Sequence, residues 1–568
     1  MKKILAILLV LVLVPISGFG SAKSEIEEIF YEIPVSVFSR YPADNFTVPL
    51  MLINKGDKEI KVQNITFTLS DGTKILEKDL EETLNPSLLK GLGNNEIRDK
   101  IGIVLPEEKS VIKAKEFLDK AKTMEKGEER TGNIENAWLL LMNKDHYTET
   151  EEIEKILSHS KIFYFTIHLK DLYKGIEPVD FIPINIDMII SNSDGSTYTI
   201  SQTTTLFYLN SLPSQWGWYP GDGHMHTAWS DGWLISIENR RNDAYNKNLK
   251  WIIITDHAGD SQHTSQPRLE WNEWSSYNTD CNNAQNIYPY ITVCPGEELA
   301  TIEGTGGSHL LSYKNNSYVS SYGNKQTLIN NVYAAGGFGI IAHPYNSSFP
   351  WTDWYTYPQP ATSPSFRGIE LISYGYVVND SQLADWDYYL RSHIVNTMKD
   401  PNHRFCVGLS NSDAHLPLTL GTNMTYIYTG SSSPPGTDIT GVYNALERGR
   451  ASASSDGSLL VHKITTGGTY LPGYYMQKSS AGYITVNVYA QCVANISDGY
   501  ADIKIVTSDG TVVTDRVNNQ TIVNKDYSIY VSHDTYVRVQ VTFYNSQSGA
   551  FSYCFSNPTF IDFSPYNQ

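Results

Sequence analysis

The sequence predicts a multidomain protein of the α/β plus all-β class, with central β/α units between two β-rich regions. Three observations lead there. The chain has 568 residues, enough for two to four domains and a large core. Between Trp216 and Asp456, short apolar runs alternate with helix-like stretches, and several runs end abruptly in His, Asp or Glu. On either side, strand-like runs separated by turn signals dominate.

The first 22 residues read as a secretory signal peptide. Met1-Lys-Lys supplies a basic start, Ile4 to Ile16 a short apolar run, and Ser17 to Ala22 small residues before a break. Cleavage is expected after Ala22, and the apolar run is short for a membrane span. Residues 23–210 are expected to form a β-sandwich-like domain with a helical insertion. Strands are expected over Glu32–Asn54, Glu59–Ser70, Ile162–Leu169, Ile184–Ser191 and Tyr198–Tyr208. Leu80 to Ser160 has helical composition, with apolar residues recurring at three and four. Ser211-Leu-Pro-Ser-Gln marks the junction into residues 211–456, where helices are expected over Ile235–Lys247, Gln326–Ala335 and Asp380–Thr397. From 457 to 568, strands and turns predict a second β-sandwich.

The chemistry is concentrated in the middle region. Asp222-Gly-His224-Met-His226 places two histidines at i and i+2, which face the same way on an extended backbone. Asp231 follows five residues later. Alone, such a pair is more often structural than metal-binding. Further clusters change that balance: Trp251-Ile-Ile-Ile-Thr-Asp256-His257; Gly296-Glu297-Glu298 with Gly307-Ser-His309; Ile340-Ile-Ala-His343-Pro344; and Asn411-Ser-Asp413-Ala-His415. Counting the opening pair, six of the chain's 14 histidines fall in these clusters, a placement that scattered core or surface histidines do not explain. Histidine and carboxylate without thiolate suit Zn2+, Mn2+ or Fe2+.

The order of these motifs resembles the polymerase and histidinol phosphatase (PHP) superfamily, and most closely its secreted CehA/McbA-like metallohydrolase branch. The resemblance runs from Trp216 to Asp456. It implies a distorted (β/α)7 barrel with two or three divalent metal ions at the strand carboxyl ends, and metal-dependent hydrolysis, usually of phosphoesters. Carried over residue by residue, it implies that His224, His226 and Asp413 hold one ion, and that His309 and His343 hold a second with Glu298 bridging. Asp231, His257 and His415 would hold a third. The family pattern puts the acidic ligand after Gly-x, which selects Glu298 over Glu297. Ser308 stands where the family normally has glycine before histidine. Glu298, Asp413 and His257 are the expected catalytic residues. Asp222 and Asp256 are expected to fix histidine tautomers. His263 is a candidate for protonating the leaving group, and Arg450 either approaches a substrate anion or makes a structural salt bridge.

The expected partner is a phosphoester or another ester, including a carboxyl or carbamate ester. A net charge of −18 makes a nucleic-acid backbone a poor partner. Export to the medium or cell envelope follows from the leader, and the β-rich regions leave room for cell-surface contact. Five cysteines in an exported chain allow disulfides, Cys281–Cys294 and Cys492–Cys554 with Cys406 left over. The aromatics Trp271, Trp274, Tyr277, Trp351 and Trp354 follow ligand-bearing strand ends, and are expected to pack loops onto the core or to stack on ligands. A reading of a different class, an envelope scaffold with structural metals, stays open from sequence.

Overall fold

The computed structural model describes residues 29–32, 36–87, 93–100, 107–141, 160–172, 179–232, 235–259, 268–287, 290–301, 307–321, 323–346, 350–351, 354, 366–373, 376–396, 398, 405–415, 420–496 and 498–563. The expected signal peptide and His263 lie outside the described residues.

The first eight strands are β1 (Ile29–Glu32), β2 (Ser36–Arg40), β3 (Asn45–Asn54), β4 (Ile60–Leu69), β5 (Lys74–Leu84), β6 (Ser160–His168), β7 (Asp180–Asn192) and β8 (Thr197–Leu209). They form two sheets, ordered β1-β3-β6 and β2-β8-β7-β4-β5. Strand β7 shows why they close on each other. Ile182, Ile184, Ile186, Met188 and Ile190 are buried, while the alternate residues Asn185 and Asp187 reach solvent. Helices α1 (Asn94–Lys100), α2 (Glu108–Thr123) and α3 (Glu128–Leu141) come from the stretch of helical composition. Phe117, Leu118 and Trp138 of this pair α2 and α3 pack on Phe38, Phe207 and Leu209. A short helix, α4 (Leu169–Leu172), follows β6.

The central strands are β9 (Trp218–Asp222), β10 (Trp251–Ile254), β11 (His257–Ala258), β12 (Thr292–Ala300), β13 (His309–Tyr313), β14 (Phe338–Ile341), β15 (Gly368–Ser373), β16 (Tyr376–Val377), β17 (Val407–Asn411), β18 (Met424–Tyr428) and β19 (Ala451–Ser454). Helices α5 (Ile237–Asn246), α6 (Trp274–Ile287), α7 (Lys325–Ala334), α8 (Asp380–Asn396) and α9 (Ile439–Glu447) lie between some of them. All four residues of Trp251-Ile-Ile-Ile are buried, as expected for a strand covered on both faces.

The central region does not form the expected (β/α)7 barrel. Strand outweighs helix among the described residues, and the closed sheet is mixed rather than parallel. Strand β13 runs antiparallel to both β12 and β14, and β18 runs antiparallel to both β9 and β19. Among the described residues, no α-helix separates β12 from β13 or β14 from β15. The seam between β17 and β18 is bridged by side chains. Thr425 Oγ1 accepts from Ser410 N at 2.9 Å and donates to Ser410 O at 2.7 Å. Asn557 accepts from Gly408 N at 2.7 Å and donates to Gly408 O at 2.9 Å and Ala451 O at 3.0 Å.

The sheet also continues past residue 457. The last strands are β20 (Leu459–Ile464), β21 (Tyr475–Gln477), β22 (Gly482–Gln491), β23 (Gly499–Thr507), β24 (Gly510–Asn518), β25 (Ile522–Val531), β26 (Thr535–Asn545), β27 (Phe551–Ser556) and β28 (Thr559–Asp562). Strand β27 pairs with β19, which joins β26, β23 and β24 to the central sheet. Strands β20-β22-β25 form a separate sheet, and the two share an apolar core that includes Val486, Val488, Ile503, Val539 and Val541.

All five cysteines are buried and free, so neither expected disulfide forms. Cys281 packs in the cluster with Ile252 and Val293, while Cys294, the next residue along β12, turns to the opposite cluster with Ile253 and Leu310. Ser458 intervenes at the other pair. Its hydroxyl donates to Cys492 Sγ at 3.7 Å, and its carbonyl accepts from Cys554 Sγ at 3.4 Å. No helix among the described residues is long and apolar enough to cross a membrane.

Candidate metal centre

Strand alternation builds the centre. Met225 and Ala414 form a parallel bridge, with His226 N donating to Ala414 O at 2.9 Å and Ala414 N to His224 O at 3.2 Å. Both bridge residues turn into an apolar cluster with Ile252 and Tyr426. Their neighbours His224, His226, Asp413 and His415 are therefore sent to the other face together. On the adjoining sheet, His257 of β11 is in register with Glu298 of β12, and Ala300 with His309 of β13. His343 lies two residues past the end of β14. All nine residues expected as ligands are buried, none exposed beyond 7 %.

Glu298 sits at the middle of this set. Its Oε2 lies 3.2 Å from His224 Nε2, His226 Nε2 and His257 Nδ1. Its Oε1 lies 2.8 Å from His309 Nδ1 and 3.3 Å from His343 Nε2. Asp413 Oδ1 lies 3.1 Å from His224 Nε2 and 3.2 Å from His226 Nε2. Asp231 approaches His226 Nδ1 at 3.6 Å, His257 Nε2 at 3.5 Å and His415 Nε2 at 3.4 Å. Glu297 points the other way, where it accepts hydrogen bonds from Asn315 Nδ2 and from Val319 N at 3.1 Å.

Ligand atoms lie within 4.8 Å of one another in three overlapping groups: His226, Asp231, His257 and His415; His224, His226, Glu298 and Asp413; and His257, Glu298 and His309. His226 and His257 each belong to two groups, where the resemblance assigned each to one ion. The protein thus holds buried His, Asp and Glu groups with the spacing to bind metal. Their electrostatics point the same way. Burial would raise the Glu298 carboxyl, but His224, His309 and His257 hold it well below the usual carboxylate range. Burial would lower His226, yet its hydrogen bonds with Asp413 and Glu298 push it up to about 10. Burial and the neighbouring His226 push His415 down to about 4. His224 Nε2 and Glu298 Oε2 are both buried and make no hydrogen bond, although 3.2 Å separates them. A divalent cation fits that donor set: several imidazole nitrogens and carboxylate oxygens, and no thiolate.

The backbone is strained at two of the nine. His343 has φ 28° and Asp413 φ 54°, the left-handed region that residues with side chains rarely adopt. Supporting groups surround them. Asp256 accepts from Thr227 N and Thr227 Oγ1, each at 2.6 Å, and from Ser230 Oγ at 2.7 Å, and so shapes the turn that carries Asp231. That turn doubles back tightly: a Cβ on Gly232 would lie 2.3 Å from the His226 carbonyl carbon. Asp222 accepts from His224 N at 3.2 Å and Ser412 N at 3.1 Å, tying the two ligand loops together. Its burial pushes its carboxyl up to about 6. Both aspartates hold backbone or hydroxyl groups rather than histidine rings.

Sequence reasoning missed two supporting residues. Glu370 of β15 lies 3.0 Å from His224 Nδ1, and Arg240 of α5 donates to His226 O at 2.8 Å and Ala414 O at 2.6 Å. The signal for Glu370 was a lone acid inside the apolar run Gly368-Ile-Glu-Leu-Ile. Arg450 stacks over Tyr474 at 4.7 Å from the ring centre. Of the loop aromatics, Trp351, Trp354 and Tyr277 are buried, whereas Trp271 is 76 % exposed.

No family model matches the chain, and no curated protein matches it. Solved structures give distant likenesses. One is a structural-genomics target, SoR45, at 9% identity over 32% of this chain and 86% of that one, with a TM-score of 0.15. Another is an adhesin from Mobiluncus mulieris, at 11% identity over 36% of this chain and 63% of that one, with a TM-score of 0.16. A third is a β-glucuronidase from Parabacteroides merdae, at 7% identity over 95% of this chain and 65% of that one, with a TM-score of 0.18. The alignments thus span less than two thirds of the adhesin and the glucuronidase. At such TM-scores nothing about fold or activity follows from them.

Proposed function

We propose that this chain is an exported, metal-dependent hydrolase of phosphoesters. The observation that carries the reading is the convergence of nine buried histidine and carboxylate side chains on one cluster, with Glu298 approached by five imidazoles at 2.8 to 3.3 Å. A purely structural site needs four ligands and no open position. The motif order shared with secreted PHP-type metallohydrolases supports the phosphoester assignment.

Two or three divalent ions, Zn2+, Mn2+ or Fe2+, would be held by His224, His226, Asp231, His257, Glu298, His309, His343, Asp413 and His415. Bound there, they would supply Lewis acidity and a lowered water pKa. The protein's own contribution is geometric. Glu298 belongs to two of the ligand groups, with Oε2 toward His224, His226 and His257 and Oε1 toward His309 and His343. Asp413 and His257 hold the flanks. The buried wall excludes bulk water from the reacting centre. The expected leader, the net charge of −18 and the β-rich regions fit an extracytoplasmic enzyme that meets small esters or the cell surface.

The test is direct. The chain from Lys23 onward is purified, its metals are counted by mass spectrometry, and p-nitrophenyl phosphate and bis-p-nitrophenyl phosphate are assayed with Mn2+ or Zn2+. Two to three metals, with turnover lost in His257→Ala, support the reading. Bound metal without phosphoester turnover, but with cleavage of carboxyl esters, refutes the substrate class.

A further inference from the structure

Glu370 lies outside the nine ligand residues yet touches three of the segments that carry them. It is buried, on β15, with 2 % of its surface exposed. Its Oε1 lies 3.0 Å from His224 Nδ1 and accepts from Asn411 Nδ2 at 2.8 Å. Its Oε2 accepts from the backbone N–H of His343 at 2.8 Å. The Asn411 amide can face only one way, because its Oδ1 accepts from Gly223 N at 2.8 Å. Its Nδ2 is therefore the group turned to Glu370.

Three donors on one buried carboxylate have a chemical consequence. An ionised carboxylate only accepts. His224 must then carry a proton on Nδ1, and in the neutral ring, the form that can ligate a metal, Nε2 keeps a lone pair. That lone pair points at two more acceptors, Glu298 Oε2 at 3.2 Å and Asp413 Oδ1 at 3.1 Å. Three acceptors converging in a buried space need a positive charge among them, supplied by a metal ion or, without one, by a proton on the His224 ring. The hydrogen bond to His343 N does separate work. His343 holds φ 28°, so its backbone needs a fixed partner to stay in that conformation.

We propose that Glu370 is the positioning residue of the centre: it sets the His224 tautomer for metal binding and clamps the strained His343 turn, linking the two histidines that approach opposite oxygens of Glu298. The proposal rests on the metal reading above but not on the phosphoester assignment. It also explains why an acid is placed where β15 is otherwise apolar.

Glu370→Gln is the test. A glutamine has one acceptor oxygen and one NH2, so it cannot serve both His224 Nδ1–H and His343 N–H. Zn2+ affinity is measured by chelator competition on the purified chain, without ester substrate. The histidine tautomers are read by 15N NMR with His224→Gln as the assignment reference. Thermal unfolding in chelator measures folding alone. We expect Zn2+ binding to weaken by about 10- to 100-fold, with the Nδ1–H signal of His224 lost or moved and the chelated protein still folded. Wild-type affinity and an unchanged His224 tautomer in a folded Glu370→Gln protein overturn the proposal. So does an equal loss of folding and affinity that Asn411→Ala reproduces. A wild-type chain that binds no Zn2+ overturns the metal reading instead.

Discussion

Glu298→Gln should separate this centre from an ordinary buried polar cluster. The substitution keeps size and removes one charge. In the wild type, the two carboxylate oxygens reach two of the three ligand groups, so two metal positions depend on this side chain. A metal present at a hundredfold excess over its Kd stabilises a fold by about 2.7 kcal/mol per site. Two sites therefore give about 5 kcal/mol of metal-dependent stabilisation. In Glu298→Gln that share should be lost, leaving only the metal-dependent stabilisation from the group that lacks Glu298, His226-Asp231-His257-His415. The assay is urea unfolding with saturating Zn2+ and with chelator, alongside metal counting. Glu297→Gln is the control: its carboxyl faces Asn315 and Val319, and burial already pushes it far up toward the neutral form. It should keep the full metal count and the full increment. An unchanged increment in Glu298→Gln, or an equal loss in Glu297→Gln, would refute the assignment of Glu298 as the shared ligand.

Asp413→Asn tolerates the left-handed backbone at φ 54° but loses the charge. It should abolish p-nitrophenyl phosphate turnover while shifting the chelated protein's stability by no more than about 1 kcal/mol. His462 offers a pH prediction away from the centre. It is buried between Ser556 Oγ at 2.8 Å and Thr559 Oγ1 at 3.0 Å, and burial pushes it down to about 3. Below pH 6.5 the unfolded chain binds a proton that the folded one refuses, so stability is intact above 6.5 and falls as pH drops toward 3. Between pH 7 and pH 5 the loss is about 2 kcal/mol. His462→Gln should remove that share of the acid sensitivity, read as the difference in urea midpoints at the two pH values in chelator. Asn557→Ala deletes three buried hydrogen bonds across the β17 seam and should cost about 2 to 4 kcal/mol in the same assay.

Much of the candidate centre was legible because its grammar is local. An HxH on extended backbone must face one way, and apolar runs that stop at His, Asp or Glu flag those residues, although Glu298 lies within β12 and His309 opens β13 instead of ending a strand. Alternation likewise puts Glu297 and Glu298 on opposite faces, but which of them faces the centre came only from the motif resemblance. Apart from that choice, these features needed only residue identity and a period of two. What the sequence by itself determined was therefore the set of residue types and their facing within each strand.

The tertiary structure decided how strands were paired, and with it the fold. A strand buried on both faces reads as an apolar run whether its neighbours are parallel or antiparallel. Nothing in Thr292–Ala300 or His309–Tyr313 announces that they run opposite ways. Nor does local pattern show that β27 joins β19 or that Asn557 closes a seam about 150 residues away. Grouping is non-local for the same reason. His226 and His257 serve two ligand groups because Glu298 and Asp231 arrive on either side of them. Glu370 looked like one acid in an apolar strand until the fold set it against His224 and His343. Distances between residues far apart in sequence depend on the packing of the whole chain, and no window of sequence contains them.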